Sequence, residues 1–178
     1  MLRTLKRGEK HPVVLDSAPL ITLCSCEVEG HPIIDKLLRG TLVMIPDTVK
    51  ELAVDARREL HDAAVAKRLI EQGKISVFPE PASPQVEDYY NLGEGQCAVI
   101  RLALKLGQDV TPILDERGGF LIACHYGLHP MFLLDLIVAL VQQKKLDAQV
   151  AQTMVESAKV RYPGPHLVHV QAQLEELK

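Results

Sequence analysis

Acidic residues follow the short apolar runs of this chain, and carboxylate oxygens are the ligands that hard cations such as Mg²⁺ prefer. The runs VVL, VMI, PIL and FLL each lead to an acid within two residues. The acids are Asp16, Asp47, the pair Asp115 and Glu116, and Asp135. In an open parallel sheet, ligands bind beyond the carboxyl ends of the strands at a topological switch point. The pattern therefore predicts acids that converge at one edge of a sheet.

A structural role competes with this interpretation, because aspartate is also a favoured N-cap where a strand turns into a helix. Asp47 is the strongest case, since Glu51 follows one turn later in an arrangement close to a capping box. We interpret Asp47 as a cap. Glu51 lies on the same helix face and could project toward the site that Asp16 faces, although a first-turn acid is often simply solvated.

The spacing of the apolar residues predicts strands that alternate with helices, which is typical of βα units around a parallel sheet. The predicted strands cover residues 13–15, 42–45, 75–78, 110–114 and 131–134. Residues 47–72 carry an apolar stripe of period 3.6 that is interrupted near residues 58–62, which predicts two helices. We therefore expect an α/β sandwich in which helices cover both faces of the sheet.

Composition and charge limit the function classes. The 178 residues suffice for one core, and a formal charge of −3 gives no global signature of a nucleic-acid binder, so any such contact must be local. The longest apolar run, over 131–141, is too short to span a bilayer, and the N-terminus lacks the apolar core of a secretion signal. We expect a cytoplasmic protein without a membrane partner. The four cysteines lack zinc-site spacing and are expected to be reduced thiols.

The motif GEGQ, residues 93–96, precedes the stretch CAVIRLALKLG, which predicts a helix with one buried face. The motif contains neither the GK[ST] of a phosphate loop nor a GxGxxG fingerprint. Glu94 stands between two glycines, where it is either a helix cap or a metal ligand.

Four motifs in order resemble those of the PIN domain nucleases: LDSAPLITL, IPDTVKEL, LGEGQCAVIRLALKLG and ILDERGGFLIACHYGL. The resemblance covers about residues 13–146 and is, more narrowly, to small prokaryotic members of the family. It implies a three-layer α/β/α fold with a small parallel sheet. It also implies a cluster of acids that binds one or two Mg²⁺ or Mn²⁺ ions, endoribonuclease activity on single-stranded RNA and, as in many members, a toxin neutralised by an antitoxin.

The resemblance assigns roles by motif position. Asp16 matches the first-strand aspartate, with Ser17 as its hydroxyl neighbour, and Glu51 matches the glutamate after the IPxxV turn. Asp115 and Glu116 match the acidic pair after the fourth strand. The resemblance thus implies that Asp16, Glu51 and Asp115 are catalytic. It makes Asp16, Asp115 and Glu116 ligands of the metal ion.

One position departs from the family pattern, since Gln96 stands where the family usually has an acid. An amide keeps an oxygen ligand but loses the negative charge that strengthens the binding of a hard cation. Glu94, two residues earlier, could serve as a metal ligand if the glycines let the turn bring it in, or Asp135 could contribute from the last predicted strand. Two functions therefore stay open: a metal-dependent nuclease, and a degenerate PIN domain that binds RNA or a protein without cutting. A nucleotide-binding or phosphotransfer domain is a weaker third interpretation.

A polyanionic substrate must be held near such acids by local positive charge. The candidates for RNA binding are Arg117, beside the acids, and Arg57 and Arg58 on the long helical segment, although each could be a solvated surface charge. Aromatic residues are few, which leaves little for base stacking, and Tyr89 and Tyr90 form the adjacent aromatic pair near the expected site.

We expect one PIN-like domain over residues 1–162, with its motifs within 13–146, followed by a C-terminal tail over 163–178 that contacts a partner or frays. In that tail, HLVHV could add an edge strand, whereas QAQLEELK is typical of a helix. The apolar run 131–141 and the helix predicted over 147–160 could serve a homodimer or an antitoxin, and core packing explains both segments equally well.

Overall fold

A small parallel sheet forms the centre of the protein. The computed structural model describes residues 9–80 and 92–177 of the chain. Within them the strands are β1 (His11–Leu15), β2 (Glu27–Val28), β3 (His31–Pro32), β4 (Thr41–Pro46), β5 (Ile75–Phe78) and β6 (Thr111–Ile113). The main sheet has the order β5-β4-β1-β6, all strands parallel, and β2 and β3 form a separate antiparallel pair. Tyr89 and Tyr90 lie outside the described residues.

Helices flank this sheet. They are α1 (Ser17–Ser25), α2 (Ile33–Leu37), α3 (Asp47–Ala53), α4 (His61–Glu71), α5 (Glu94–Leu106), α6 (Arg117–His125), α7 (Leu133–Gln142), α8 (Ala148–Ala158) and α9 (Gly164–Glu176). Short 3₁₀ segments follow α3 and α8, at Asp55–Arg57 and Lys159–Arg161. The expected α/β/α fold with a small parallel sheet is confirmed.

The strands form where β-branched and other apolar residues can be buried on both faces of a sheet. Val13, Val14 and Leu15 of β1 are fully buried, and so are Ile45 of β4 and Ile113 of β6. Four of the five predicted strands are confirmed within a residue or two of their expected bounds. The two helices predicted within residues 47–72 are also confirmed, as α3 and α4.

The prediction of a fifth strand over residues 131–134 is wrong. Met131 makes one isolated bridge to Ile113, and α7 begins two residues later at Leu133. Eight of the ten residues of α7 are buried, and a helix that is apolar all round cannot be told from a buried strand by periodicity. Asp135 consequently lies in the first turn of a helix and does not follow a strand.

The segment after Tyr162 folds as a helix along most of its length. Both HLVHV and the following QAQLEE belong to α9, so the edge strand considered for HLVHV is not formed. The helix packs against α7 and α8, and Val170 and Leu174 are fully buried there. In the described part of the chain, no helix is both long enough and apolar enough to cross a membrane.

Candidate functional site

The topology of the sheet brings two of the predicted acids to neighbouring strand ends. The strand β1 has β4 on one side and β6 on the other, so the direction in which strands are added reverses at β1. Such a reversal opens a crevice beyond the carboxyl ends of the strands. Leu15 pairs with Ile113, which places Asp16 directly after β1 and Asp115 two residues after β6 at the same edge.

Asp16 is buried at this edge of the sheet. The residue is 6 % exposed and forms the N-cap of α1, where its Oδ1 accepts a hydrogen bond from the Ser17 N–H at 2.7 Å. Helix α5 approaches it closely at Gly95, where a Cβ atom would lie 2.7 Å from Asp16 Oδ1 and 3.1 Å from Ser17 Oγ. A glycine is therefore required at this contact between the start of α5 and the carboxylate.

Burial and neighbouring charge make ionisation of Asp16 costly. Burial raises the pKa of Asp16 from 3.8 to about 6, and the nearby carboxylates of Glu116 and Asp115 add to the rise. The hydrogen bond from Ser17 opposes it. The crevice thus holds a carboxylate next to other negative charges, which is an arrangement that a cation would stabilise.

Gln96 and Glu116 form a second part of the site. The buried Gln96 donates a hydrogen bond from Nε2 to Oε2 of Glu116 at 2.5 Å. Gly119 of α6 allows the amide to pack there, since a Cβ atom at that position would lie 3.1 Å from Gln96 Cδ and Oε1. The amide that replaces the expected acid thus donates to a neighbouring carboxylate.

Both carboxylate oxygens of Asp115 accept hydrogen bonds. Its Oδ1 accepts one from the Leu133 N–H at 2.8 Å, and its Oδ2 accepts one from the Tyr162 hydroxyl at 2.6 Å. Burial raises the pKa of Asp115, whereas the bonds from Leu133 and Tyr162 lower it. Asp115 therefore connects the first residue of α7 to the segment that leads into α9.

His166 and Asp135 form a further acid–base pair next to Tyr162. His166 Nε2 lies 3.1 Å from Asp135 Oδ1, and the ring of His166 meets that of Tyr162 edge to face at 6.3 Å. Asp135 thus belongs to the contact between α7 and α9. Nothing in the local sequence indicated roles for Tyr162 or His166, because Tyr162 is 47 residues away from Asp115 along the chain.

Glu51 and Glu94 lie beside the crevice with their side chains exposed to solvent. Glu51 precedes Leu52 in α3, and Glu94 precedes Gly95 in α5. The two helices come close at these neighbours, since a Cβ atom at Gly95 would lie 3.6 Å from Leu52 Cδ1. Among the described residues, no hydrogen bond or ion pair joins either glutamate to Asp16. The structure therefore brings together Asp16, Asp115, Glu116 and Gln96, and leaves Glu51 and Glu94 at the rim.

The interpretation of Asp47 as a cap is wrong. The N-cap of α3 is Pro46, and Asp47 is exposed as the first residue of the helix. The Thr48 N–H donates instead to Glu80 Oε1 at 3.2 Å. A residue from just beyond β5 thus takes the capping role that the local sequence suggested for Asp47.

The three arginines considered for RNA binding have different surroundings. Arg57 is bound to Asp62 through Nη2 at 3.1 Å, and the exposed Arg58 lies 3.8 Å from Glu59. Arg117 is exposed at the start of α6, directly after Glu116. Arg117 is therefore the arginine that lies beside the crevice.

The donors available to a cation are oxygen atoms. Ser17 Oγ is buried next to Asp16 and has no hydrogen-bond partner in the described part of the molecule. In residues 9–80 and 92–177, no group of three or more His, Cys, Asp or Glu side chains is arranged around one point as metal ligands. Mg²⁺ needs only one or two direct carboxylates when waters and substrate phosphate complete its octahedron. The donors around Asp16 fit an ion of that kind.

Comparison with known proteins supports a family assignment. A family model described as a PIN domain matches residues 12–175, which is most of the chain and includes α9. No curated protein and no solved structure matches the sequence. PIN domains are generally nucleases, and those nucleases generally use divalent metal ions. The fold, the strand-end acids and the extent of this match together show that the chain belongs to the PIN domain family.

Proposed function

We propose that the protein is a divalent-metal-dependent endoribonuclease that hydrolyses phosphodiester bonds of single-stranded RNA. The observation that carries the proposal is the crevice beyond β1 and β6. It contains a buried carboxylate, Asp16, beside Glu116 and Asp115, and a hydroxyl, Ser17 Oγ, that no described residue binds by a hydrogen bond. Negative charges held close to a buried carboxylate make its ionisation costly unless a cation compensates them.

Three side chains would hold the ion. Asp16 offers a buried carboxylate, Ser17 Oγ a neutral oxygen, and Glu116 a carboxylate directed by the amide of Gln96. A bound Mg²⁺ or Mn²⁺ would supply an activated water and neutralise charge on the phosphoryl oxygens. The protein fixes Asp16 through its cap bond to Ser17, so the carboxylate needs little reorganisation when an ion binds.

Other side chains would hold the substrate or take part in catalysis. Arg117 stands beside Glu116 and would bind a phosphate of the RNA backbone, because guanidinium groups match phosphate oxygens in pairs. Glu51 and Glu94 are exposed at the rim, where they would bind waters of the metal ion rather than the ion itself. Asp115 would act by keeping α7 and the segment that enters α9 in position around the crevice, since both of its oxygens accept hydrogen bonds from them.

A specific observation favours a second function. Because Gln96 replaces an acid, the site has one carboxylate fewer than the family pattern, and the Gln96 amide donates a hydrogen bond to Glu116 Oε2. A degenerate PIN domain that binds RNA without cutting would retain the crevice and lack sufficient affinity for the cation. A toxin role, an antitoxin partner and a homodimer remain predictions from the sequence.

The decisive experiment is cleavage of single-stranded RNA by the purified protein with Mn²⁺ or Mg²⁺. We expect cleavage that is lost in EDTA and in Asp16→Asn, which keeps an oxygen for the Ser17 N–H but removes the charge. If wild type and variant are equally inert and both bind RNA, the degenerate domain is the better description.

Gln96→Glu separates the two functions further. The variant places a second carboxylate next to Glu116. The two carboxylates repel each other in the absence of metal, and together they bind a cation more strongly than Glu116 does beside an amide. If Gln96 has abolished catalysis, cleavage should appear in Gln96→Glu alone. If the wild type is active, the variant should cut at a lower Mn²⁺ concentration.

A further inference from the structure

Two phenylalanines stack on each other outside the hydrophobic core. The rings of Phe120 in α6 and Phe132 before α7 lie 4.6 Å apart between centroids and only 8° from parallel. Both side chains are partly exposed, and neither belongs to the core cluster nor to the partly buried residues packed against it, which include Phe78. His166 of α9 meets Phe132 edge to face at 5.5 Å. We call Phe120, Phe132 and His166 the aromatic platform.

The aromatic platform adjoins the acids through direct contacts. The Phe120 N–H donates to the Glu116 carbonyl at 3.0 Å, one helical turn from the proposed metal ligand. Phe132 immediately precedes Leu133, whose N–H binds Asp115 Oδ1 at 2.8 Å. The ring of His166 meets that of Tyr162 edge to face at 6.3 Å, and the Tyr162 hydroxyl donates to Asp115 Oδ2 at 2.6 Å. The platform is therefore a continuation of the crevice and no separate surface feature.

We propose that the aromatic platform is a subsite that binds an unpaired nucleobase of the RNA by stacking. A flat π-face next to a phosphate-binding site suits a nucleotide, since any of the four bases can stack on an aromatic ring. Bases in a duplex are already stacked and paired, so such a subsite selects single strands. This inference rests on the proposed function for the class of substrate, and it extends that function to the way in which single strands are chosen.

The arrangement explains features that core packing does not. A ring pair that only filled space would be expected among the residues packed on the core, as the equally half-buried Phe78 is, whereas this pair is not among them. The three rings of the aromatic platform come from separate places in the fold: α6, the residue before α7, and α9. The exposed Arg117 at the start of α6 lies three residues before Phe120 in the same helix, where it would bind a phosphate next to the stacked base.

The test measures stacking and not cleavage, so that it stands apart from the test of the enzyme. Single-stranded RNA oligonucleotides carry 2-aminopurine at each position in turn, and they are titrated with the Asp16→Asn protein, which we expect not to cut. We expect the fluorescence to be quenched at one position on binding. An oligonucleotide with an abasic site at that position should bind the unmodified platform roughly 5-fold or more weakly.

Phe120→Leu and Phe132→Leu keep the apolar character of each position while removing the ring. Each should reduce the quenching and weaken binding of the intact oligonucleotide, with no effect on the abasic one. Leu121→Ala is the matched control, because Leu121 neighbours Phe120 in α6 and is 52 % exposed without being part of the platform. We expect it to bind as the parent protein does.

Each outcome decides between the two proposals. Quenching at one position, together with a wild type that never cuts, would overturn the nuclease and leave the subsite in place. Cleavage by the wild type without quenching at any position, and with equal binding of abasic and intact RNA, would overturn the subsite and leave the nuclease. Absence of any RNA binding would overturn the subsite as well.

Discussion

At the scale of single residues, the charge of Asp16 opposes folding. Its pKa is about 6 in the folded protein against an ordinary value of 3.8, so the folded state holds its proton more tightly than the unfolded state. The tighter binding of this proton stabilises the folded state fully below pH 3.8, and the stabilisation is lost as the pH rises through 6. The ionised residue therefore costs roughly 3 kcal/mol at neutral pH.

Asp16→Asn should therefore stabilise the metal-free protein at pH 7.5 while it abolishes cleavage. The asparagine oxygen still accepts the bond from the Ser17 N–H, so the cap of α1 is retained and only the charge is lost. We expect a gain of up to about 3 kcal/mol in the free energy of unfolding, which disappears toward pH 4. Urea unfolding of both proteins across this pH range measures it, and parallel pH profiles would contradict the origin of the effect.

Gly95→Ala should disturb the site without changing any of its functional groups. The new Cβ atom would lie 2.7 Å from Asp16 Oδ1, which the Ser17 N–H holds in place, so helix α5 or α1 must shift. We expect a destabilisation of about 1–3 kcal/mol, typical of overpacking, together with weaker Mn²⁺ binding. Thermal unfolding with and without Mn²⁺ measures both.

Gly118→Ala provides the control for that substitution. Gly118 is also helical and near the site, but a Cβ atom there makes only an ordinary contact, 3.6 Å from Leu92. It should be neutral or stabilise the protein by about 0.5–1 kcal/mol, because alanine favours a helix interior. If Gly95→Ala behaves in the same way, the close approach to Asp16 has no consequence.

The acids of this site could be predicted from the sequence, whereas their partners could not. Asp16, Asp115 and Glu116 could be named because each follows an apolar run, and a parallel sheet brings such positions to one edge. The partners of those acids could not be named. The bond from Tyr162 to Asp115 and the stack of Phe120 on Phe132 join separate elements, and local spacing does not determine which side chains meet there.

At the scale of elements, Asp115 connects the start of α7 to the chain that enters α9. Tyr162→Phe removes the hydroxyl that donates to Asp115 Oδ2 and leaves a half-buried carboxylate oxygen without that donor. We expect a destabilisation of about 1–3 kcal/mol. The loss should be larger at pH 8 than at pH 4, because the hydroxyl stabilises the ionised form of Asp115 and thereby lowers its pKa.

Urea unfolding at the two pH values measures the effect of Tyr162→Phe. The control is Val160→Ala in the neighbouring 3₁₀ segment, whose side chain is 85 % exposed and whose loss should change little. A Tyr162→Phe protein as stable as the wild type at pH 8 would show that α9 is held by its apolar contacts alone.

The elements themselves were predictable where one physical signal dominated. Short β-branched runs gave β1, β4 and β5, and the broken stripe over 47–72 gave α3 and α4. Helix α7 was mistaken for a strand in its first residues because it is buried nearly all round, which removes the alternation between faces that separates the two structures. The helical form of HLVHV depends on packing against α7 and α8.

At the scale of the whole molecule, cation binding should appear as added stability, because any ligand that binds the folded state alone shifts the folding equilibrium. At pH 7.5 we expect Mn²⁺ to raise the melting temperature of the wild type. The gain amounts to about 2.7 kcal/mol when the ion is present at roughly 100 times its dissociation constant. Asp16→Asn, which offers no charge to the ion, should melt at the same temperature with and without Mn²⁺.

The pH dependence of this shift ties it to the crevice between β1 and β6. Since the pKa of Asp16 is about 6, the carboxylate is mostly protonated below that pH and must release a proton before it can bind a cation. The Mn²⁺-induced rise in melting temperature should therefore be large at pH 7.5 and fade below pH 6. An equal rise in Asp16→Asn, or one that persists unchanged at pH 5, would place the ion elsewhere on the protein and would separate metal binding from the strand-end acids.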